Sequence, residues 1–200
     1  MRNPYYESTI HKQIREKRDN RKERIRNDVK HYGREVLNSE EMQQAFEQTH
    51  HKRATVGEHS LRVTMSSVML CYALRKMKVN VNMPAVIIAA LCHDLGILGR
   101  NDKYSSAKEC AEAHPKESVE IAREILDELP ENTEDIIERH MWPVGDSKAP
   151  NSIEGAIVSA ADKYTAVKDF VKGSNSENES IMPLLPSERR TEEVTEDGDK

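Results

Sequence analysis

The spacing of apolar residues along the chain indicates helices. From Thr55 to about Lys78, apolar residues recur mainly at intervals of three and four, which is typical of an amphipathic helix. From Met83 to about Asp94 the sequence is apolar on all sides, which predicts a central, buried helix that begins with Pro84 in its first turn. No segment shows sustained alternation with a period of two. The pattern therefore predicts an all-α fold.

The other helices are predicted from their capping residues and prolines. The sequence from Asn38 to Glu41 supplies an N-cap and an acidic first turn for a short helix that reaches about Glu47. Gly96 and Gly99 end the central helix, and residues 99–110 are predicted to be a loop. Three later helices are predicted, from His114-Pro115 to about Leu129, from after Thr133 to about Met141, and from about Ser152 to about Lys172.

The composition divides the chain into three segments. Residues 1–37 are a charged N-terminal helical extension, since residues 9–35 hold 10 basic and 5 acidic side chains. Its sparse apolar stripe would rest on the main domain or on a second copy of the chain in a homodimer; the stripe is Ile10, Ile14, Ile25 and Val29. Residues 38–172 are the helical domain. Residues 173–200 are expected to be a flexible acidic tail, attached at one point by Leu184 and Leu185.

Charge and hydropathy narrow the classes of function. The 200 residues fit one domain, and the net charge of −5 makes nucleic-acid binding an unfavoured function. No run approaches the roughly 18 consecutive apolar residues of a membrane-spanning helix, and the first residues lack a secretory signal, so a cytoplasmic location is expected and a membrane partner is not. The three cysteines are widely spaced, which argues against a disulfide framework.

The histidines and two aspartates provide candidate metal ligands. Four histidines follow His51, each at the end of a predicted helix, namely His59, His93, His114 and His140. Asp94 follows His93 directly, and Asp162 lies within an otherwise apolar stretch, where a charged carboxylate needs a cation or hydrogen-bond donors. A carboxylate has two oxygens for two ions, whereas an imidazole offers one nitrogen, so Asp94 is the expected bridge. Imidazoles and carboxylates without thiolates favour Fe, Mn, Co or Zn.

Five short motifs in this order resemble the HD superfamily of metal-dependent phosphohydrolases. They are EHSLRV at 58–63, ALCHDLG at 90–96, HP at 114–115, ERHMWP at 138–143 and ADKY at 161–164. The resemblance spans about 48–172. Its core signature is matched by His59, His93, Asp94 and Asp162. The additional His114 and His140 resemble dinuclear branches, which include bacterial diadenosine tetraphosphate hydrolases and cyclic-di-GMP phosphodiesterases of the HD-GYP type.

Two departures limit the resemblance. The GYP signature is missing, which counts against cyclic-di-GMP as a substrate. Residues 95–99 also contain no acid, unlike the mononuclear 5′-nucleotidase-like members.

The resemblance implies an all-helical bundle with two divalent metal ions at its centre. One ion would be held by His59, His93, Asp94 and Asp162, and the second by Asp94, His114 and His140. A metal-bound hydroxide would hydrolyse a nucleotide or another small phosphorylated compound. Arg62, Lys116 and Lys163 are candidate catalytic phosphate contacts or, alternatively, surface charges. An HD-fold di-iron oxygenase and a non-catalytic regulatory HD module are the alternative functions.

The remaining candidates have two readings each. Glu58 is a candidate base or an ordinary exposed helix residue, and Trp142 would stack on a nucleobase or cover the pocket. His50 and His51 are solvent residues or part of the pocket mouth. Substrate contacts are expected from residues 99–110 and 141–151.

Overall fold

A computed structural model describes residues 4–51, 54–144, 146–172 and 181–185. It confirms the all-α fold, to which it adds a small antiparallel two-stranded ribbon that pairs Thr49 with Thr55. The elements are α1 (Pro4–Tyr32), α2 (Arg34–Asn38), α3 (Glu40–Glu47), β1 (Thr49–His51), β2 (Ala54–Thr55), α4 (Val56–Lys76), α5 (Met83–Cys92), a 3₁₀ turn (Leu95–Ile97), α6 (Arg100–Lys103), α7 (Ala107–Ile125), α8 (Glu131–Glu138), α9 (Ile153–Lys172) and a second 3₁₀ turn (Met182–Leu184). No helix in these ranges is both long and apolar enough to cross a membrane.

The apolar helix α5 is the centre of the bundle, as its sequence predicts. It packs against α4, α8 and α9. Val86, Ile87 and Leu91 have no exposed surface. Each such side chain contributes on the order of 1.5–3 kcal/mol by leaving water. The end of α5 at Cys92 therefore places the next two residues, His93 and Asp94, deep inside the protein.

The start of α4 is fixed by a capping box and a close contact. Thr55 Oγ1 accepts a hydrogen bond from Glu58 N, and Glu58 Oε2 accepts one from Thr55 N. A side chain on Gly57 would place its Cβ 2.6 Å from the ring of Phe46, so only glycine allows α3 to pack this closely. These contacts position His59 in the first turns of α4.

The start of α7 differs from the sequence prediction. Helix α7 begins at Ala107 with Ser106 as its N-cap, so His114 and Pro115 lie inside the helix and not at its start. The predicted loop over 99–110 instead contains α6 and the first turn of α7. Pro115 has no N–H to donate within the helix, but it removes only that one bond and the helix continues.

The charged helix α1 uses only half of its apolar stripe in the monomer. Ile25 and Val29 are buried in the domain core, whereas Ile10 and Ile14 are 37% and 59% exposed. The Tyr72 hydroxyl of α4 donates a hydrogen bond to the Asp28 carboxylate of α1. The stripe therefore rests on the main domain through its later part, and a homodimer formed through this helix stays a prediction.

The segment 181–185 packs on the domain. Leu184 and Leu185 are buried, as is Ile181, and the 3₁₀ turn contacts α1. The rest of the predicted flexible tail, 173–180 and 186–200, lies outside the described residues, as do the side chains of His50 and His51.

Candidate metal centre

The fold brings all six predicted metal ligands to one place. They come from α4, from the residues after α5, from α7, from the residues after α8, and from α9. Each is at most 8% exposed; the six are His59, His93, Asp94, His114, His140 and Asp162. Neighbouring imidazole rings lie 4.9–5.6 Å apart between centroids.

Asp94 lies between two pairs of histidines and directs one oxygen to each pair. Its Oδ2 is 3.8 Å from His59 Nε2 and 3.4 Å from His93 Nε2. Its Oδ1 is 3.3 Å from His114 Nε2 and 3.6 Å from His140 Nε2. A carboxylate placed in this way is able to bridge two cations, as the sequence predicts.

Asp162 completes the side of the centre that contains His59 and His93. Its Oδ1 lies 3.0 Å from His59 Nε2 and 3.7 Å from His93 Nε2. Its Oδ2 accepts a hydrogen bond of 3.0 Å from Lys163 Nζ, which also donates to the His140 carbonyl at 2.6 Å. Lys163 therefore holds a ligand from each side of the centre.

The histidines are oriented through their outer ring nitrogens. Nδ1 of His93, His114 and His140 is 2.7–2.9 Å from a main-chain carbonyl, that of Ala90, Cys110 and Ile137 respectively. A carbonyl only accepts, so each Nδ1 carries a proton, and in the neutral imidazole Nε2 then carries the lone pair. All three Nε2 atoms face the aspartates, which is the arrangement found in metal-ligating histidines.

This donor set fits a divalent cation. The Nε2 atoms of His114 and His140 are 3.1 Å apart, where two lone pairs repel unless a proton or a cation lies between or beside them. The Nε2 atom of His93 is buried and has no hydrogen-bond partner among the described residues. In the part of the chain that the structure describes, three overlapping groups of ligand atoms could each hold an ion: His59, His93 and Asp94; His93, His140 and Asp162; and Asp94, His114 and His140.

The histidines of the metal-free centre differ in their pKa values. Burial by itself lowers the pKa of His59, but hydrogen bonds to Asp162 and Asp169 outweigh it and raise the pKa to about 9. Burial lowers the pKa of His140 to about 4. Burial also opposes the charged form of His114, but Asp94 raises its pKa above the ordinary value. Burial opposes ionisation of Asp162 as well, and its bond with His59 still holds its pKa well below the ordinary range.

A comparison with family models gives one match, to the HD domain, over residues 56–167. The match covers more than half of the 200 residues and includes all six of these side chains. The chain belongs to the HD domain family. No curated protein and no solved structure matches the chain significantly. HD domains are generally metal-dependent phosphohydrolases, although some are non-catalytic.

Asp169, two residues beyond the matched range, is a residue near the centre that sequence reasoning missed. Its Oδ2 lies 3.3 Å from His59 Nδ1 and 3.0 Å from Arg62 Nη2. Asp169 follows Asp162 by seven residues, or two helical turns, so the two acids share one face of α9. That spacing is the signal that would have found it. Burial opposes its ionisation, but His59 and Arg62 lower the pKa of Asp169 below the ordinary value.

Arg62, Glu58 and Trp142 have different surroundings from those expected. Arg62 is 3% exposed and its guanidinium binds Asp169, which also contacts His59, so Arg62 is a buried partner of the centre. Glu58 is a buried capping residue and not an exposed one. Trp142 lines a cavity with Pro143 and Lys163, to which none of the six candidate ligands contributes.

The two lysines predicted to contact phosphate lie in different cavities. Lys163 lines a cavity of about 790 Å³ that opens onto Asp94, His114 and Asp162. Lys116 lies on the exposed side of α7 and lines a different cavity, of about 370 Å³. The larger cavity is lined by residues of both stretches expected to contact substrate, from Arg100 to Cys110 and at Met141 and Val144. Lys163 is thus the predicted cation that the fold brings to the centre.

Proposed function

We propose that this HD domain is a metal-dependent phosphohydrolase that acts on a nucleotide or another small phosphorylated compound at a dinuclear site. The observation that carries the proposal is the position of Asp94, whose two carboxylate oxygens face two different pairs of imidazole Nε2 atoms. A site for one ion does not need a buried carboxylate shared in this way.

The ligands divide into two sets around Asp94. His59, His93, Asp162 and Asp94 Oδ2 would hold one ion, because their nearest atoms are 3.0–3.8 Å apart. His114, His140 and Asp94 Oδ1 would hold the other. Two such ions supply Lewis acidity, which lowers the pKa of water and neutralises charge on phosphate.

The protein itself supplies orientation and charge. Lys163 Nζ fixes Asp162 Oδ2 and the His140 carbonyl while lining the large cavity. Its positive charge therefore lies beside any phosphate that reaches the ligands, and it favours the dianion there. Asp169, itself bound by Arg62, holds His59 Nδ1, so that His59 Nε2 stays directed into the centre.

The proposal is tested by a screen of phosphorylated metabolites. Purified protein is stripped of metal, reloaded with Mn, Co, Zn or Fe, and assayed for phosphate release from nucleoside monophosphates, dinucleoside polyphosphates and other phosphoesters. We expect turnover that depends on metal and is absent in Asp94→Ala. Metal-loaded protein that releases no phosphate from any of them would contradict the proposal.

The same ligands also suit iron, so the oxygenase alternative is checked on the same preparation. Iron-loaded protein is tested for O₂ consumption in the presence of organic substrates. Consumption of O₂ coupled to substrate, without phosphate release, would replace the hydrolase proposal.

A further inference from the structure

The large cavity beside the centre is built by two helical stripes. Helix α7 contributes Ala107, Cys110, Ala111 and His114, which have the i, i+3, i+4, i+7 spacing of one helix face. The stripe thus begins with small, weakly polar side chains and ends at a candidate metal ligand. A substrate bound at the centre by its phosphate would extend along this face.

Helix α9 forms the facing stripe in the same way. Asp162 and Lys163 lie at the centre, and Ala166 and Val167 follow them one turn further along the same face. Both walls therefore change from charged side chains at the centre to apolar side chains farther out.

The outer part of the cavity leaves apolar surface in contact with water. Val167 is 64% exposed and Val144 is 48% exposed, and both line the cavity together with Met141 and the buried Ile97. Scattered exposed apolar residues are ordinary, but these lie around one concave space that leads to the centre. An apolar group bound there would remove their surface from water.

Positive charge in the cavity is limited. Among the described lining residues, the basic side chains are Arg100 and Lys163, and Lys163 is already hydrogen-bonded to Asp162 and to the His140 carbonyl. The Tyr104 hydroxyl donates to the Gly96 carbonyl at 2.9 Å, so this donor is also engaged. A chain of several phosphates extending outward from the centre would find few cations to neutralise it.

We propose that the substrate is a phosphomonoester whose organic group is largely apolar, such as an aryl or alkyl phosphate, and not a sugar phosphate or a polyphosphate. This inference rests on the proposed function, because it assumes that phosphate binds at the centre. The organic group lies between the α7 stripe and the α9 stripe, and it covers Val144 and Val167.

Phosphonates test the apolar walls without hydrolysis. Binding of n-alkylphosphonates from methyl to hexyl is measured by calorimetry on the metal-loaded protein. We expect the dissociation constant to fall about two- to fourfold with each added methylene, as for transfer of a methylene out of water. Binding that stays constant or weakens along the series overturns the inference and leaves the proposed function standing. Failure of every phosphonate to bind overturns the proposed function itself.

Two matched variants on α9 locate the binding. Ala166→Leu narrows the cavity, whereas Ala160→Leu adds the same bulk on the same helix outside this cavity. The quantity compared is the gain in binding affinity from methylphosphonate to hexylphosphonate. We expect Ala166→Leu to reduce this gain by about tenfold or more, and Ala160→Leu to leave it unchanged. An unchanged gain in Ala166→Leu, or equal losses in both variants, contradicts the proposed location.

Turnover of different phosphorylated substrates provides a second test of the inference. Phenyl phosphate, a hexose 6-phosphate and a nucleoside triphosphate are compared by kcat/KM on the same holoenzyme. We expect phenyl phosphate to exceed the other two by at least about tenfold. A preference for the hexose phosphate or the triphosphate refutes the apolar substrate class, while it still supports hydrolysis.

Discussion

The two sides of the centre differ in how one of their histidines is oriented. On the side of Asp94 Oδ1, His114 and His140 are both held by main-chain carbonyls. On the side of Asp94 Oδ2, His93 is held in the same way, but His59 is held by a side chain, Asp169, which is itself bound by Arg62. The first arrangement is a property of helix geometry, whereas the second depends on two further residues that a substitution is able to remove.

The difference extends to charge. The hydrogen bonds and carboxylates around His59 raise its pKa to about 9, whereas burial among other imidazoles lowers the pKa of His140 to about 4. In the metal-free protein His59 therefore favours a proton at neutral pH, whereas His140 excludes it. The sides should respond differently to substitution and to pH.

The largest expected effect is that of removing Asp94, which is common to both sides. In Asp94→Ala we expect loss of both ions and of phosphatase activity to background, because each set of ligands loses an oxygen. Metal content is measured by elemental analysis and helicity by circular dichroism, which should stay near the parent value because the core around α5 is intact. A variant that keeps full turnover shows that Asp94 is not catalytic.

Removing one histidine from one side should remove one ion and leave the other bound. We expect His140→Ala to lose about one equivalent of metal and to keep the other, since His59, His93 and Asp162 are untouched. Stoichiometry is measured by elemental analysis after dialysis. A parent protein that binds a single ion, or a variant that loses every ion, contradicts the dinuclear assignment.

Asp169→Asn tests whether the Asp169 side chain orients His59. We expect metal affinity on the His59 side to fall about 10- to 100-fold, as is typical when a carboxylate that orients a metal-bound histidine is lost. The absorption spectrum of the Co(II) protein reports the ligand geometry directly. Asp127→Asn, an exposed aspartate between α7 and α8, is the matched control and should change neither affinity nor spectrum. Equal affinities in the two variants would show that Asp169 does not position His59.

The smallest effect is the pH dependence of stability in the chelator-treated protein. The pKa of His59 is raised from 6.5 to about 9 in the fold, so its stabilising contribution is complete below pH 6.5 and is lost as pH rises through 9. The pKa of His140 is lowered from 6.5 to about 4, so its contribution is complete above pH 6.5 and is lost as pH falls through 4.

These opposite slopes are measured by urea unfolding from pH 4 to pH 9. In a plot of the free energy of unfolding against pH, we expect His59→Gln to flatten the alkaline limb and His140→Gln to flatten the acid limb. If both variants change the same limb, the two histidines do not differ in protonation.

Most of the centre is predictable from the sequence because two independent features mark its ligands. The first is a charged or polar residue in or next to an apolar helix, and the second is the order of the motifs. Asp162 is a charged residue in an apolar helix, and His93 and Asp94 end the most apolar helix of the chain. Burial of such groups needs compensation by a cation or by donors, and the candidates are the other histidines of the domain, His59, His114 and His140. The order of the motifs then identifies the HD family, which the family match confirms.

The remaining features depend on contacts that periodicity does not contain. The predicted start of α7 at His114-Pro115 was wrong. The first turns of α7 present small side chains to the cavity, so no strong apolar periodicity indicates a helix there. The spacing of Ser106 and Glu109, a typical N-terminal capping pair, was the available signal, and Ser106 Oγ accepts from Glu109 N. The contact of Arg62 with Asp169 was not predicted, because Asp169 lies five residues beyond the end of the ADKY motif at 161–164.

Three of the four imidazoles are anchored by backbone atoms of residues 90, 110 and 137, which no point substitution deletes. The side chains that line the outer cavity take no part in that anchoring. Selection on this protein is therefore free to remodel the cavity walls, residue by residue, while the six candidate ligands keep their arrangement. Relatives with the same six ligands but different cavity walls would then act on different compounds by the same chemistry.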